Sequence, residues 1–396
     1  MNKPALEGGR PVRKEFLSFS PPDIREDEIR SVRSVLESKW ITTGEKCKEF
    51  EKAISLYTGA GHAVVLNSAT AGLFLSLKVA GIKEGYEVIT TPYTFAASAS
   101  VIIHAGATPV FADIERESYS ISPPEIESKI TKKTRAIIPV HFAGHPVEID
   151  TIDEIAKRNS LIVVEDAAHA IGAEYRGKKI GNGDRISVFS FHAVKNLTTA
   201  EGGAVTTNDA EIADRLKLYS LHGQTRDAYS KLLVGGWKYD IAVPGYKFNM
   251  TDIQAAIGIE QLKRLDKNIE KRAAVAEKYT KFFKDFDFVK TPEVKIGVTH
   301  AWHLYPVTID FSRLGINRDT FINALGAENI SSNVHFIPVH LMSYYKKTYG
   351  YKPDDFPNAY RVFQNEVSLP IYPQMSQTDV DDVLEALSKL FAFYKK

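Results

Sequence analysis

Apolar residues recur along this chain with two different periods. Between Asp27 and Leu36, the positions Ile29, Val32, Val35 and Leu36 fall at helical spacing. Lys39-Trp-Ile-Thr-Thr-Gly44 breaks that pattern, and a second helix is predicted from about Cys47 to Tyr57. From His62 onward, short β-branched runs alternate with longer helical ones. The strand candidates are Ala63–Leu66, Glu87–Thr91, Thr108–Ala112, Arg135–His141, Leu161–Glu165, Ile186–Phe191 and Gly203–Thr207. Helical segments such as Ala71–Val79, Ala97–Ala105 and Ile149–Arg158 lie between them. Several strand runs are apolar throughout, as expected where helices cover both faces of a sheet. The alternation predicts an α/β domain with a mainly parallel sheet.

From Thr251 a long helix is predicted, with Ile253, Ile257, Leu262, Leu265, Ile269 and Ala273 as its apolar stripe. After Phe283 the pattern reads strand, helix, strand, helix at His303–Ile309, Arg318–Ala324, Val334–Ile337 and Asp379–Tyr394. The expected organisation is an N-terminal arm over 1–45, a large domain over 46–265 and a smaller α+β domain over 266–396.

Composition narrows the classes of function. The 396 residues carry 50 basic and 49 acidic side chains, a net charge of +1, which gives no bulk electrostatic reason to bind nucleic acid or an anionic membrane. One cysteine, Cys47, excludes an internal disulfide and a thiolate zinc site; no metal is expected, and a reducing cytoplasmic setting is. The opening MNKPALEGGRPVRKEF lacks the apolar core of a signal peptide. The longest apolar stretch, His62 to Gly81, is interrupted by polar residues and Lys78 and does not read as a membrane span.

Open α/β sheets bind ligands beyond the carboxyl ends of their strands. Five places there could carry chemistry. Asn67-Ser-Ala-Thr-Ala-Gly72 opens a helix after the first strand; the Thr70 and Ala71 amides and the Thr70 hydroxyl could meet a phosphate, or form an ordinary helix cap. Asp166 ends an apolar strand and needs a partner, either a protonated ring nitrogen or a protein cation; His169 follows, as a ligand contact or a structural histidine. Lys195 stands in a stretch otherwise without a full charge, Ile186 to Ala200, where low polarity suits Schiff-base chemistry, though a snorkelling lysine is the plainer reading. Phe95 could stack on a flat cofactor or pack in the core. Pro244-Gly-Tyr-Lys-Phe-Asn249 is an interface loop or a helix-entry turn. A phosphate cradle, a stacking aromatic, an acid and a lysine together match what pyridoxal phosphate asks of a protein.

Read in order, these segments resemble the DegT/DnrJ/StrS family of sugar aminotransferases. The resemblance runs from Lys39-Trp-Ile-Thr-Thr-Gly44 through the Asn67–Gly72 turn, Gly85–Phe95, Gly106–Asp113, Val164-Glu-Asp-Ala-Ala-His-Ala170, Ser190–Gly203 and Gly245–Gln254 to Ser368-Leu-Pro-Ile-Tyr-Pro373. It implies the fold-type I aminotransferase architecture and pyridoxal 5′-phosphate as cofactor. By position it makes Lys195 the Schiff-base lysine and proton shuttle, and Asp166 the partner of the ring nitrogen. Phe95 and His169 would flank the ring, while Thr70, Ala71 and Ser190 hold the phosphate. Asn249 would reach the phosphate of a neighbouring subunit in a homodimer with shared sites. Glutamine is common in the family where this chain has His169, and arginine where it has Asn249.

The reaction so implied takes an amino group from L-glutamate, releasing 2-oxoglutarate, and gives it to a nucleotide-linked ketosugar. The wording His-Ala-Val-Lys-Asn and Gly-Tyr-Lys-Phe-Asn resembles synthases of 4-amino sugars, which points to C4 and, by the same resemblance, to UDP. Lys247, His335 and His340 are candidates for the nucleotide-sugar side, each with a structural reading beside it. The alternatives are a C3 aminotransferase acting on a dTDP or GDP sugar, a pyridoxal-phosphate-dependent sugar dehydratase and a non-enzymatic pyridoxal-phosphate-binding regulator. One branch of the family dehydrates its sugar and has histidine at the Schiff-base position; Lys195 here favours transamination.

Overall fold

A computed structural model describes residues 3–225 and 237–396. Its first strands are β1 (His62–Leu66), β2 (Glu87–Thr90), β3 (Thr108–Phe111), β4 (Thr134–Ile138) and β5 (Ile162–Asp166). A hairpin of β6 (Glu174–Tyr175) and β7 (Lys178–Lys179) follows, and then β8 (Ile186–Ser190) and β9 (Gly203–Thr207). The central sheet has the order β1-β9-β8-β5-β4-β2-β3. Strands β8, β5, β4, β2 and β3 pair in parallel, and β9 runs antiparallel to both of its neighbours, so it alone is reversed. The expected α/β class with a mainly parallel sheet is what the chain adopts.

Alternation along these strands explains their unbroken apolar runs. Successive side chains leave opposite faces of a strand. Ile89, Ile137 and Val163 enter one core with Phe50, Ile54 and Phe189, while Val88, Ile138 and Val164 enter another with Leu73, Leu77 and Val205. Helices cover both faces, so neither set can be polar.

Two expectations change. The single long helix is two, Asp252–Lys263 and Leu265–Phe283, separated at Arg264, whose φ of −116° and ψ of 7° leave the helical region. The first buries Ala255, Ala256 and Ile259 and the second Leu265 and Ile269, while Ile253, Ile257, Leu262 and Ala273 of the expected stripe are only partly buried. Val334–Ile337 is not a strand. The C-terminal sheet is built from β10 (Val289–Lys290), β12 (Tyr305–Ile309) and β13 (Glu366–Leu369), while β11 (Val298–Thr299) pairs with the β6–β7 hairpin.

A third core surrounds the C-terminal sheet, with Tyr279, Phe283, Tyr305, Val307, Phe321, Leu387 and Phe391. Leu17 packs into it, so the beginning of the chain folds back onto the end. Helix Leu265–Phe283 ties the two regions together: Leu265 and Ile269 belong to the first core, Tyr279 and Phe283 to the third. Arg272, buried between them, has no acidic partner among the described residues. It donates instead to the carbonyls of Ile371 at 2.7 Å and Trp302 at 3.2 Å.

Candidate active site

A cavity of about 370 Å³ opens at the carboxyl edge of the central sheet. Lys195 reaches it from a turn after β8, where its amide donates to the His192 carbonyl at 2.9 Å. The side chain is half-buried, and its Nζ lies 3.5 Å from His303 Nε2. Burial pulls its pKa from the usual 10.5 down to about 8, against the opposing pull of Asp166. Part of the lysine is therefore an uncharged amine at neutral pH. Burial also drives His169 and His303 well below the ordinary histidine range, with the Lys195 charge adding to it. Both rings stay neutral beside the lysine, their centroids 4.3 Å apart.

Two neighbouring acids on β5 show what the cavity asks for. Glu165 leaves one face of the strand and is held by Arg185 Nε at 2.8 Å. Burial alone would raise its pKa, but His141, Arg185 and Ser187 outweigh that and hold it at about 2. Asp166 leaves the other face, into the cavity, and is only 5% exposed. It accepts from Ser98 Oγ at 2.6 Å and from the Ala168 amide at 3.1 Å. Among the described residues no cationic side chain makes an ion pair with it. A buried carboxylate without a counter-ion is costly. An incoming protonated ring nitrogen would supply the missing charge.

The far end of the cavity suits a phosphate. Helix Ala69–Val79 begins there, capped by Ser68, and Thr70 and Ser190 line the wall. The helix start sits close to β9 because residue 203 is glycine: a Cβ there would lie 2.6 Å from the Ala69 nitrogen. The Ala71 amide is already used, donating to Ser68 Oγ at 3.1 Å. An anion would meet Ala71 only where Ser68 gives up that bond. Phe95 caps helix Ala96–His104 and is 63% exposed at the cavity mouth, its ring 6.2 Å from Phe336. An acid lacking a cation, a helix start among hydroxyls and an open aromatic face together fit pyridoxal phosphate.

Of the residues singled out in the sequence, Thr70, Phe95, Asp166, His169, Ser190, Lys195 and His335 line this one cavity. Lys247 and Asn249 do not. They lie on a strip beside β1, bonded to each other, with Asn249 Nδ2 also 2.6 Å from Thr43 Oγ1. His340 is corrected outright: it is fully buried, its ring edge-on to Phe356 at 4.8 Å, and as placed no substrate reaches it. The sequence reading missed Ser98, His303 and Phe336. Ser98 is one of two hydroxyls, with Ser100, inside the otherwise apolar run Ala96–His104, and nothing local separates the two. Two histidines three apart before β12 were the trace of His303.

A sequence profile of the DegT/DnrJ/EryC1/StrS aminotransferase family matches residues 22–388. The spore coat polysaccharide biosynthesis protein SpsC of Bacillus subtilis is 47% identical over 377 residues, spanning 95% of this chain and 97% of SpsC. Spr1654 of Streptococcus pneumoniae, assigned as a sugar aminotransferase and solved in its PMP form, superposes with a TM-score of 0.89 at 38% identity, covering 95% of this chain and 99% of that one. Its PLP form gives the same TM-score at 37% identity, covering 96% and 99%. Helicobacter pylori PseC, an aminotransferase of pseudoaminic acid biosynthesis, also gives 0.89, at 32% identity, over 96% of this chain and all of PseC.

Proposed function

Because the chain belongs to the DegT/DnrJ/EryC1/StrS aminotransferase family, we propose that it carries an amino group from glutamate to C4 of a UDP-linked 4-ketosugar. The enzyme is a pyridoxal 5′-phosphate-dependent sugar aminotransferase. The donor, the nucleotide and the ring position are our reading. It is supported by the wording around Lys195 and Asn249, beside relatives in spore coat polysaccharide biosynthesis, SpsC, and pseudoaminic acid biosynthesis, PseC. A cytoplasmic setting is part of the same proposal; among the described residues no helix is long and apolar enough to cross a membrane.

The observation that carries the placement of the chemistry is the contrast on β5: Glu165 has its arginine, and Asp166, which lines the cavity with Lys195, makes no ion pair among the described residues. Bound pyridoxal 5′-phosphate supplies a carbonyl carbon that exchanges for an amino group and a conjugated ring that spreads negative charge. Asp166 would keep a proton on the ring nitrogen, since an adjacent opposite charge favours the charged form. Ser98 Oγ and the Ala168 amide fix the carboxylate for that task. The start of helix Ala69–Val79, Thr70 and Ser190 would hold the phosphate, and Phe95 and His169 would restrict the ring from its two sides. Lys195 Nζ would carry the proton between the amino-bearing carbon of the substrate and the cofactor's former carbonyl carbon; a base whose pKa lies near working pH suits that step. His303 Nε2, at 3.5 Å, can accept from Nζ and keep it oriented.

Incubation with glutamate and a panel of nucleotide ketosugars, read by mass spectrometry, tests this. The expected result is 2-oxoglutarate together with an amine on a UDP-4-ketosugar. Amination at C3 of a dTDP or GDP sugar would overturn the position and nucleotide. Loss of a hydroxyl without gain of nitrogen would make the protein a dehydratase, and no turnover on any ketosugar would favour a pyridoxal-phosphate-binding regulator.

We further propose a homodimer with shared sites. Tyr246 and Phe248, flanking Lys247 and preceding Asn249, border a second depression of about 480 Å³ with Ser68, Thr70 and Ala71, next to the phosphate end. A second copy seated there would bring its own Asn249 toward that phosphate. Light scattering is expected to give twice the 44.1 kDa chain mass. A fully active monomer would rule the arrangement out.

A further inference from the structure

His335 lines the cavity near Lys195, and one of its ring nitrogens is already engaged. Its Nδ1 lies 2.9 Å from Ser368 Oγ, and Ser368 Oγ lies 2.5 Å from Glu366 Oε1. The other carboxyl oxygen of Glu366 accepts from the His335 amide at 2.9 Å. Glu366 and Ser368 share a face of β13 because strand side chains repeat every second residue, and both are fully buried. Nε2 is the nitrogen left for a ligand; among the described residues it lies 3.5 Å from Asn333 Nδ2.

We propose that Glu366 and Ser368 are positioning residues for the sugar half of the reaction, a chain that decides which nitrogen of His335 carries the proton and so whether the cavity meets a donor or an acceptor. The proposal rests on the sugar aminotransferase reading above.

Counting hydrogens makes the argument. A serine hydroxyl has one proton to give. With a proton on Glu366, the acid donates to Ser368 Oγ, and Ser368 donates to His335 Nδ1. His335 must then carry its proton on Nε2, offering an N–H to an acceptor oxygen of the substrate. With Glu366 ionised, Ser368 donates to the carboxylate and Nδ1–H donates to Ser368. Nε2 is then bare, and Asn333 Nδ2 can serve it. Passing from the first arrangement to the second releases one proton, and it leaves from Nε2 into the cavity while the Glu366 proton moves up the chain. Atoms and charge balance without another reactant.

The surroundings place this change within reach of working pH. Burial raises the Glu366 pKa to about 8, opposed by Ser368, the His335 amide and Arg318. Arg318 is itself engaged by Asp319 at 2.9 Å. Tyr93, which donates to the His335 carbonyl at 2.6 Å, and Tyr119 are both pushed up by burial and stay neutral. His335 is lowered to about 4 by burial and by the Lys195 charge, so its ring is neutral and the question is only which nitrogen is protonated. Buried His169 and His303 near it are neutral as well.

Nitrogen-15 spectra of histidine-labelled protein, with His335→Gln to assign the signal, read the tautomer without any sugar. At neutral pH the wild-type ring is expected to be Nε2–H and to pass to Nδ1–H as pH rises through about 8. Glu366→Gln should lock Nε2–H at every pH, because an amide Nε2 can only donate to Ser368. Ser368→Ala should remove the pH dependence and raise KM for the ketosugar roughly tenfold, with kcat changed less than about twofold. A wild-type tautomer that ignores pH, or the same tautomer behaviour in all three proteins, overturns the proposal. So does an equal loss in the glutamate and ketosugar halves. A failed ketosugar panel alongside the expected spectra would instead overturn the substrate reading and leave the chain of three residues standing.

Discussion

Lys195→Ala is expected to reduce turnover by at least about 10³-fold, since it removes a nucleophile and a general base at one stroke. The two losses can be read separately. Treatment with pyridoxal phosphate and then borohydride should add the mass of the cofactor less one oxygen to the wild-type chain, because condensation loses water and reduction adds two hydrogens, and leave the variant's mass unchanged. Near-normal transamination by the variant would show that another group does this work. The depressed pKa adds a signed expectation. Lys195 goes from charged to neutral through about 8 rather than 10.5, so cofactor capture should quicken as pH rises toward 8 and level off above it. A rise that continues to pH 10 would mean that the lysine is solvated as an ordinary one.

Asp166→Asn is the second large effect. Asparagine keeps the shape and can still accept from the Ala168 amide, and the Asp166 backbone bonds to Pro139 and His141 are untouched. What goes is the negative charge. Removing one partner of a buried charge pair costs about 3–5 kcal/mol, which here would appear as a fall of roughly 10²- to 10⁴-fold in kcat/KM. The protein should stay folded, because the acid makes no ion pair to another side chain among the described residues. Unchanged kinetics would remove Asp166 from the reaction and leave it a helper of the turn after β5. A collapse of thermal stability without the cofactor would make it chiefly structural.

The large domain could be read from the sequence because its strands are apolar on both faces, and that pattern arises in few other ways. The C-terminal sheet was harder. Val334–Ile337 has the composition of a strand but serves as a loop, tied to β13 by the Asn333–Ser368 bridge before it and by His335, which bonds Glu366 and Ser368. The motif Ser368–Pro373 overlaps only the last two residues of β13, and its wording does not read as a strand. In the site, Lys195 and Asp166 stood out because reactive side chains at the ends of apolar strands are conspicuous. Ser98, His303 and Phe336 did not, since each matters only through neighbours distant along the chain. His340 shows the converse: a histidine in a promising context was buried against Phe356, and nothing in the local pattern records burial of that kind.

The cavity draws its walls from two parts of the chain that share a buried aromatic cluster, in which Tyr93 and Phe142 meet Leu304 and Val339. Thr70, Asp166, Ser190 and Lys195 stand at or just beyond the carboxyl edge of the central sheet, while His303, His335 and Phe336 come from the C-terminal part. Arg272 and the helix that carries it run between them. Bond-making chemistry and substrate reading are thereby lodged on different foundations. An engineer, or natural drift, can refit the second set for another sugar while the first keeps its alignment.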